Sequence, residues 1–140
     1  SENALWLNLS GGEPFLFPDI VELVEYIFDN CPNLFLMNIP TNAIASDHIS
    51  QKVKEILEIK PERVNLTITI SLDGLEGQHD EIRGVPGNWE RAMDLYQDLE
   101  NYEENYNNFE SGFQTTVSQH NISNLDEIFD FTRQAFQSTK

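Results

Sequence analysis

From Val64 to Asp73 the chain alternates without a break. Val64, Leu66, Ile68, Ile70 and Leu72 have one parity, and Asn65, Thr67, Thr69, Ser71 and Asp73 the other. Successive strand side chains point to opposite faces, so this run predicts a strand with one oily and one polar face. The flanking sequence repeats the arrangement: short period-two runs alternate with longer amphipathic ones, four of each. Strands are expected at Ala4 to Ser10, Leu34 to Pro40, Val64 to Leu72 and Gly112 to Ser118. Helices are expected at Ile20 to Asn30, Asp47 to Ile59, Trp89 to Tyr102 and Asn124 to Phe136. Asp19 with Glu22 reads as a capping box, and Ser46 and Asn88 as N-caps of the next two helices. Gly74 to Asn88 reads as a long Gly-rich loop, and Asn101 to Glu110 as a solvated helix end and loop.

Strands joined each time by a helix lie parallel with right-handed crossovers, which leaves a doubly wound open sheet or part of a (β/α) barrel. A doubly wound sheet is covered on both faces and its strands are apolar throughout. A strand with a wholly polar face therefore points to helices on one side only. The first strand agrees, with Leu5, Leu7 and Leu9 opposite Trp6, Asn8 and Ser10. The fourth agrees too, with Phe113, Thr115 and Val117 opposite Gln114, Thr116 and Ser118. The second is mixed, because Phe35, Met37 and Ile39 share parity with Thr41. The expected fold is α/β, a partial (β/α) barrel of four parallel strands alternating with four helices on one face, forming one domain over residues 1–140 with a polar lumen. The outer strands would present unpaired N–H and C=O groups, which predicts self-association through the open edges.

Composition narrows the partners. The 140 residues carry 24 Asp+Glu against 8 Lys+Arg, a net charge of −16, which repels phosphate backbones and anionic headgroups, so neither nucleic acid nor a membrane surface is expected. No apolar run is long enough to span a bilayer and the start of the chain has no leader pattern, so the expected location is the cytoplasm. The single cysteine, Cys31, excludes both an intrachain disulfide and a cysteine-ligated cluster held by this chain alone. His48, His79 and His120 show no metal-ligand spacing, so no metal site is assigned.

In barrels of this kind ligands sit at the C-terminal ends of the strands. After the first strand comes Ser10-Gly11-Gly12-Glu13-Pro14-Phe15, where two glycines allow close backbone approach and an acid is placed to meet an amine; an ordinary turn into a helix reads the same way. After the second comes Thr41-Asn42-Ala43, polar residues that a turn satisfying its own backbone would also use. The third ends Ser71-Leu72-Asp73-Gly74, with an Asx turn as the plain alternative for Asp73. Arg83, one of few cations, suits a carboxylate or phosphate, or a pairing with Asp80 or Glu81.

In this order and βα context, three motifs resemble those of the radical S-adenosylmethionine (radical SAM) enzymes over roughly Ala4 to Phe136. They are Leu9-Ser10-Gly11-Gly12-Glu13-Pro14-Phe15, Pro40-Thr41-Asn42-Ala43, and Ile70-Ser71-Leu72-Asp73-Gly74 followed by His79-Asp80-Glu81-Ile82-Arg83-Gly84. The resemblance implies that Gly11, Gly12, Glu13 and Pro14 form the segment receiving the methionine amino group of SAM. It implies that Thr41, Asn42, Ser71 and Asp73 lie beside its methionine or ribose portion, and that Arg83 contacts a carboxylate. It also implies a peptide- or protein-modifying branch, hence a peptidic substrate, and assigns no catalytic residue to this chain. Two departures stand out. Ala43 replaces the usual glycine, and the three-cysteine loop that holds the family's [4Fe–4S] cluster is missing. The expectation is therefore a SAM-binding core lacking the strand and loop that carry the cluster, inactive by itself, within a parent enzyme that cleaves SAM reductively and abstracts hydrogen. A non-catalytic βα binding domain is the alternative.

Overall fold

The computed structural model describes residues 3–137. Four strands, β1 (Trp6–Asn8), β2 (Leu36–Thr41), β3 (Asn65–Ser71) and β4 (Phe109–Gln114), form one sheet in the order β1-β2-β3-β4, every pair parallel. Sequential order with parallel pairing is what right-handed βα crossovers produce when they all fall on one side, and it curls the sheet toward a barrel without closing it. Helices α1 (Ile20–Asn30), α2 (Ser46–Ile59), α3 (Glu76–Arg83), α4 (Asn88–Asn105) and α5 (Leu125–Gln137) make five where four were expected.

Exposure follows parity. Met37 and Ile39 of β2 and Leu66, Ile68 and Ile70 of β3 are fully buried with Val24 of α1, Ile49, Val53 and Ile56 of α2, and Leu95 and Leu99 of α4. The opposite parity, Asn38, Thr67, Thr69 and Ser71, is only half-buried, and Asn8, Glu110 and Gln114 are exposed. Helices thus cover one face, as the alternation required. The open face carries its own cross-strand ladder: Asn38 Nδ2 donates to Asn8 Oδ1 at 2.7 Å and Thr69 Oγ1 to Asn38 Oδ1 at 3.3 Å. Trp6, in register with Leu36, remains 60% exposed on that face.

Four expectations are corrected. The segment Gly74 to Asn88 is not a structureless loop, because α3 occupies most of it. The apolar signal there is weak, but His79, fully buried, anchors the helix through polar contacts that hydropathy does not register. Strand four begins at Phe109 and ends at Gln114, so Thr115 to Ser118 belong to the following connection. Helix α4 runs on to Asn105, and Asn108 turns the chain at φ 55°, a left-handed position asparagine tolerates, which brings Phe109 into the core. Glu103, read as solvated, instead accepts from the Ser111 backbone N–H and from Ser111 Oγ, the latter at 2.6 Å. Finally, Asp19 makes no side-chain cap, Ser46 lies inside α2, and Asn88 is the first residue of α4. The cap of α4 comes from Asp80 on α3, whose carboxylate accepts from Trp89 N at 2.7 Å and Gly87 N at 2.5 Å. The Trp89 bond first, and the Gly87 bond with it, hold the Asp80 carboxyl below the usual carboxylate range.

One-sided burial makes neighbouring β3 positions unequal. Ile68→Ala should cost about 2–5 kcal/mol by leaving a cavity, whereas Thr67→Val on the open face should stay within about 0.5 kcal/mol. Urea denaturation midpoints of the two variants check this.

Candidate functional site

The C-terminal ends of the first three strands meet in an open pocket of about 230 Å³ lined by Gly11, Gly12, Pro40, Thr41, Asn42, Ser71 and Arg83. Residues up to 72 positions apart in sequence are therefore brought to one concave edge, and six of the nine expected site residues line it. Glu13, Pro14 and Asp73 stand behind them. The volume lies below the roughly 300–1,000 Å³ of a cleft that swallows a whole drug-sized ligand. It suits one polar end of a ligand, with the remainder over the open sheet.

Glu13 ties β1 to β2. Its carboxylate accepts from Thr41 Oγ1 at 3.0 Å on each oxygen, from Asn42 N at 2.7 Å and from Phe15 N at 3.3 Å. The last contact caps the short 3-10 turn Pro14–Leu16, where Pro14 supplies the fixed φ of a helix start. Thr41 has the buried parity of β2, which explains why that strand reads as mixed: its hydroxyl faces Glu13 rather than the helix core. The turn reading of the next residues also holds, since Ala43 N donates to Thr41 Oγ1 at 3.2 Å and Ile44 N to Asn42 Oδ1 at 3.0 Å. Side chains built at Gly11 and Gly12 would meet nothing within 4 Å, so their absence leaves open space beside the pocket.

Asp73 is a hub in which every polar group is engaged. Its N–H donates to His79 Nδ1 at 3.1 Å, its carbonyl accepts from Asn121 Nδ2 at 3.0 Å, and Oδ1 accepts from Thr116 N at 2.8 Å. Oδ2 lies 2.9 Å from Arg83 Nε, an ionic contact whose N–H is not aimed along a hydrogen bond. Arg83 therefore pairs with Asp73, not with Asp80 or Glu81. Asp73 serves the next βα connection instead of forming an Asx turn. Gly74 is required, because a Cβ there would lie 2.9 Å from the His79 backbone nitrogen. The Nη groups of Arg83 and the hydroxyl of Ser71 have no partner among the described residues and are available to a ligand.

Sequence reasoning missed His79, Asn88 and Asn121, which are 0%, 1% and 0% exposed. His79 Nε2 lies 2.8 Å from Asn88 Nδ2, which lies 3.2 Å from the Asn42 carbonyl. A polar chain thus runs under the pocket from β3 to β2. The available signal was the conjunction of His79 with Asp80 and Arg83 in one motif, read only for its arginine. Burial first, and the Arg83 charge second, hold His79 below the ordinary histidine range; Asp73 and Asp80 oppose this.

Two outcomes follow from this local structure. Ala43 sits at φ 60°, where an L-residue is strained by about 1–2 kcal/mol. Ala43→Gly should raise stability by about 0.5–1 kcal/mol after glycine's entropy cost, read as a higher urea midpoint. Secondly, a histidine whose folded pKa is lowered takes up its proton preferentially in the unfolded chain. Its contribution is whole above the unfolded-state value of about 6.5 and is lost as pH falls below it. Unfolding free energy should decline from pH 7.5 to 5.0, with a shallower slope in His79→Asn.

No protein-family model matches the chain. It is 26% identical over 129 residues to the AdoMet-dependent heme synthase of Methanosarcina barkeri, covering 91% of this chain and 33% of that protein. It is 29% identical over 123 residues to the Fe-coproporphyrin III synthase of the same organism, covering 86% and 27%. It is 26% identical over 132 residues to the sporulation killing factor maturation protein SkfB of Bacillus subtilis, covering 91% and 27%. The chain spans about a third or less of the length of these curated relatives. All three are radical SAM enzymes, and the chain is similar to them at low identity over most of its own length.

Proposed function

We propose that the pocket binds the methionyl end of SAM, and that the chain is the central portion of a larger radical SAM barrel. The supporting observation is the charge arrangement at the strand ends. Free Nη donors of Arg83 and the Ser71 hydroxyl suit a carboxylate, while Glu13, next to the Gly11-Gly12 backbone, is the acid nearest an incoming amine. Thr41 and Asn42 position Glu13, Pro14 fixes the entry of its turn, and Asp73 orients Arg83. A zwitterion is matched at both ends.

SAM supplies the carbon–sulfur bond that enzymes of this family cleave reductively. The residues here do not fit the cluster that delivers the electron. No three His, Cys, Asp or Glu side chains are grouped for a metal among the described residues, and Cys31 is buried at the end of α1. In this reading the [4Fe–4S] thiolates lie outside the chain, and the isolated chain binds without catalysing. The relatives' names divide between iron-porphyrin synthesis and maturation of a killing factor. A peptidic substrate is favoured, because the open face offers amides and hydroxyls (Asn8, Asn38, Thr67, Thr69, Gln114) with the carboxylate of Glu110, in a chain of net charge −16. Porphyrin carboxylates would be repelled there. Self-association through the free edges of β1 and β4, and a cytoplasmic location for the parent, belong to the same proposal. No described helix is long and apolar enough to cross a membrane.

Equilibrium dialysis of the chain with SAM tests the reading. Saturable binding is expected, weakened about 10- to 100-fold in Arg83→Gln, as for loss of a charge-assisted hydrogen bond of about 1.5–3 kcal/mol. Absence of saturable binding by the unaltered chain, or an unchanged Kd in the variant, overturns it.

A further inference from the structure

Beneath the pocket, proton accounting singles out two residues that do not line it. A neutral imidazole has one bare nitrogen and one N–H. The Asp73 backbone N–H can only donate, so Nδ1 of His79 is bare and Nε2 carries the proton. That Nε2–H then faces Asn88 Nδ2, donor against donor at 2.8 Å, while Asn88 Oδ1 is buried without a partner. The other ring tautomer only moves the conflict to Asp73. Half a turn of the Asn88 amide presents Oδ1 to Nε2–H and withdraws Nδ2 from the Asn42 carbonyl. Asn88 cannot satisfy both neighbours at once.

We propose that His79 and Asn88 are positioning residues of the pocket, with neutral His79 pinning the Asp73 backbone and the Asn88 amide latching either onto His79 or onto the Asn42 carbonyl. Between them they set the end of β3, where Asp73 pairs with Arg83 of α3, and the end of β2, which leads into Asn42, and the inference rests on the pocket reading above. Protonating Nδ1 removes the acceptor for the Asp73 N–H and adds a charge close to Arg83. The charged groups facing His79 are Arg83 and Asp80 from α3 and Asp73 from the end of β3, while α4 meets it with Asn88 and the Trp89 ring at 6.3 Å. Acid therefore loosens the Arg83 wall without altering any residue that touches the ligand.

Two measurements on the 140-residue chain test this. The first needs no ligand: long-range 1H–15N NMR at pH 7.5 should show the Nε2–H tautomer of His79. Lowering the pH to 5.5 should move the Asn42 and Asp73 amide resonances with the midpoint of His79. An Nδ1–H tautomer, or amides indifferent to that midpoint, overturns the inference even if SAM fails to bind, an outcome that would sink only the pocket reading. The second is SAM affinity by equilibrium dialysis. Between pH 7.5 and 5.5 the unaltered chain should lose up to about threefold, because His79, held below the ordinary histidine range, is only partly protonated at the lower pH. His79→Asn, whose Oδ1 replaces Nδ1 as acceptor, should bind within about threefold at pH 7.5 and lose less than about twofold on acidification. His79→Gln, whose amide reaches the Nε2 position and leaves no acceptor at the Nδ1 position, should bind about tenfold more weakly at pH 7.5. Wild-type affinity in His79→Gln, or a wild-type pH slope in His79→Asn, contradicts the proposal.

Discussion

The alternation of β3 is the constraint on which the molecule depends. Its even parity is buried beneath α1, α2 and α4, and its odd parity is left polar and half-open. A parallel strand in this condition admits helices on one side only, which forces the sequential strand order and curls the sheet so that successive C-terminal ends converge. The pocket is a geometric consequence of that convergence. Gly11, Asn42 and Ser71 lie on separate βα units yet share one edge.

Two polar clamps hold that edge. Glu13 bonds across the ends of β1 and β2, and Asp73 bonds across β3, α3 and the connection after β4. Buried polar groups are costly unless paired, so such clusters restrict the strand ends more sharply than apolar packing does. The same pairing divides labour. Asp73 spends its carboxylate on Thr116 and on Nε of Arg83, which leaves the guanidinium Nη groups without a partner among the described residues of a strongly acidic chain. A cation held by a buried acid concentrates attraction for an anionic group at one point, and the chain's overall excess of 24 acids over 8 cations discourages anions elsewhere.

The similarity to radical SAM enzymes rests on sequence, and the strand-end geometry is a separate property of this fold. The relatives share at most 29% identity with the chain. Ala43 adopts the left-handed conformation that glycine would take without strain, in the turn that follows Thr41-Asn42.

The sequence by itself determined the fold class, the one-sided covering and the positions of β2, β3, α1 and α2, because period-two and period-3.6 burial are local signals. It also determined which strand ends carry the polar motifs. It could not place α3, whose anchor is a buried histidine rather than an apolar face, nor the start of β4, which depends on a left-handed Asn108. Only the tertiary structure decided the partners: that Arg83 turns to Asp73, that Asp80 caps α4 from another helix, and that Asn88 lies within reach of both His79 and the Asn42 carbonyl. The physical reason is that hydrogen bonds between residues from different elements depend on where folding brings them, and periodicity along one element carries no record of its neighbours.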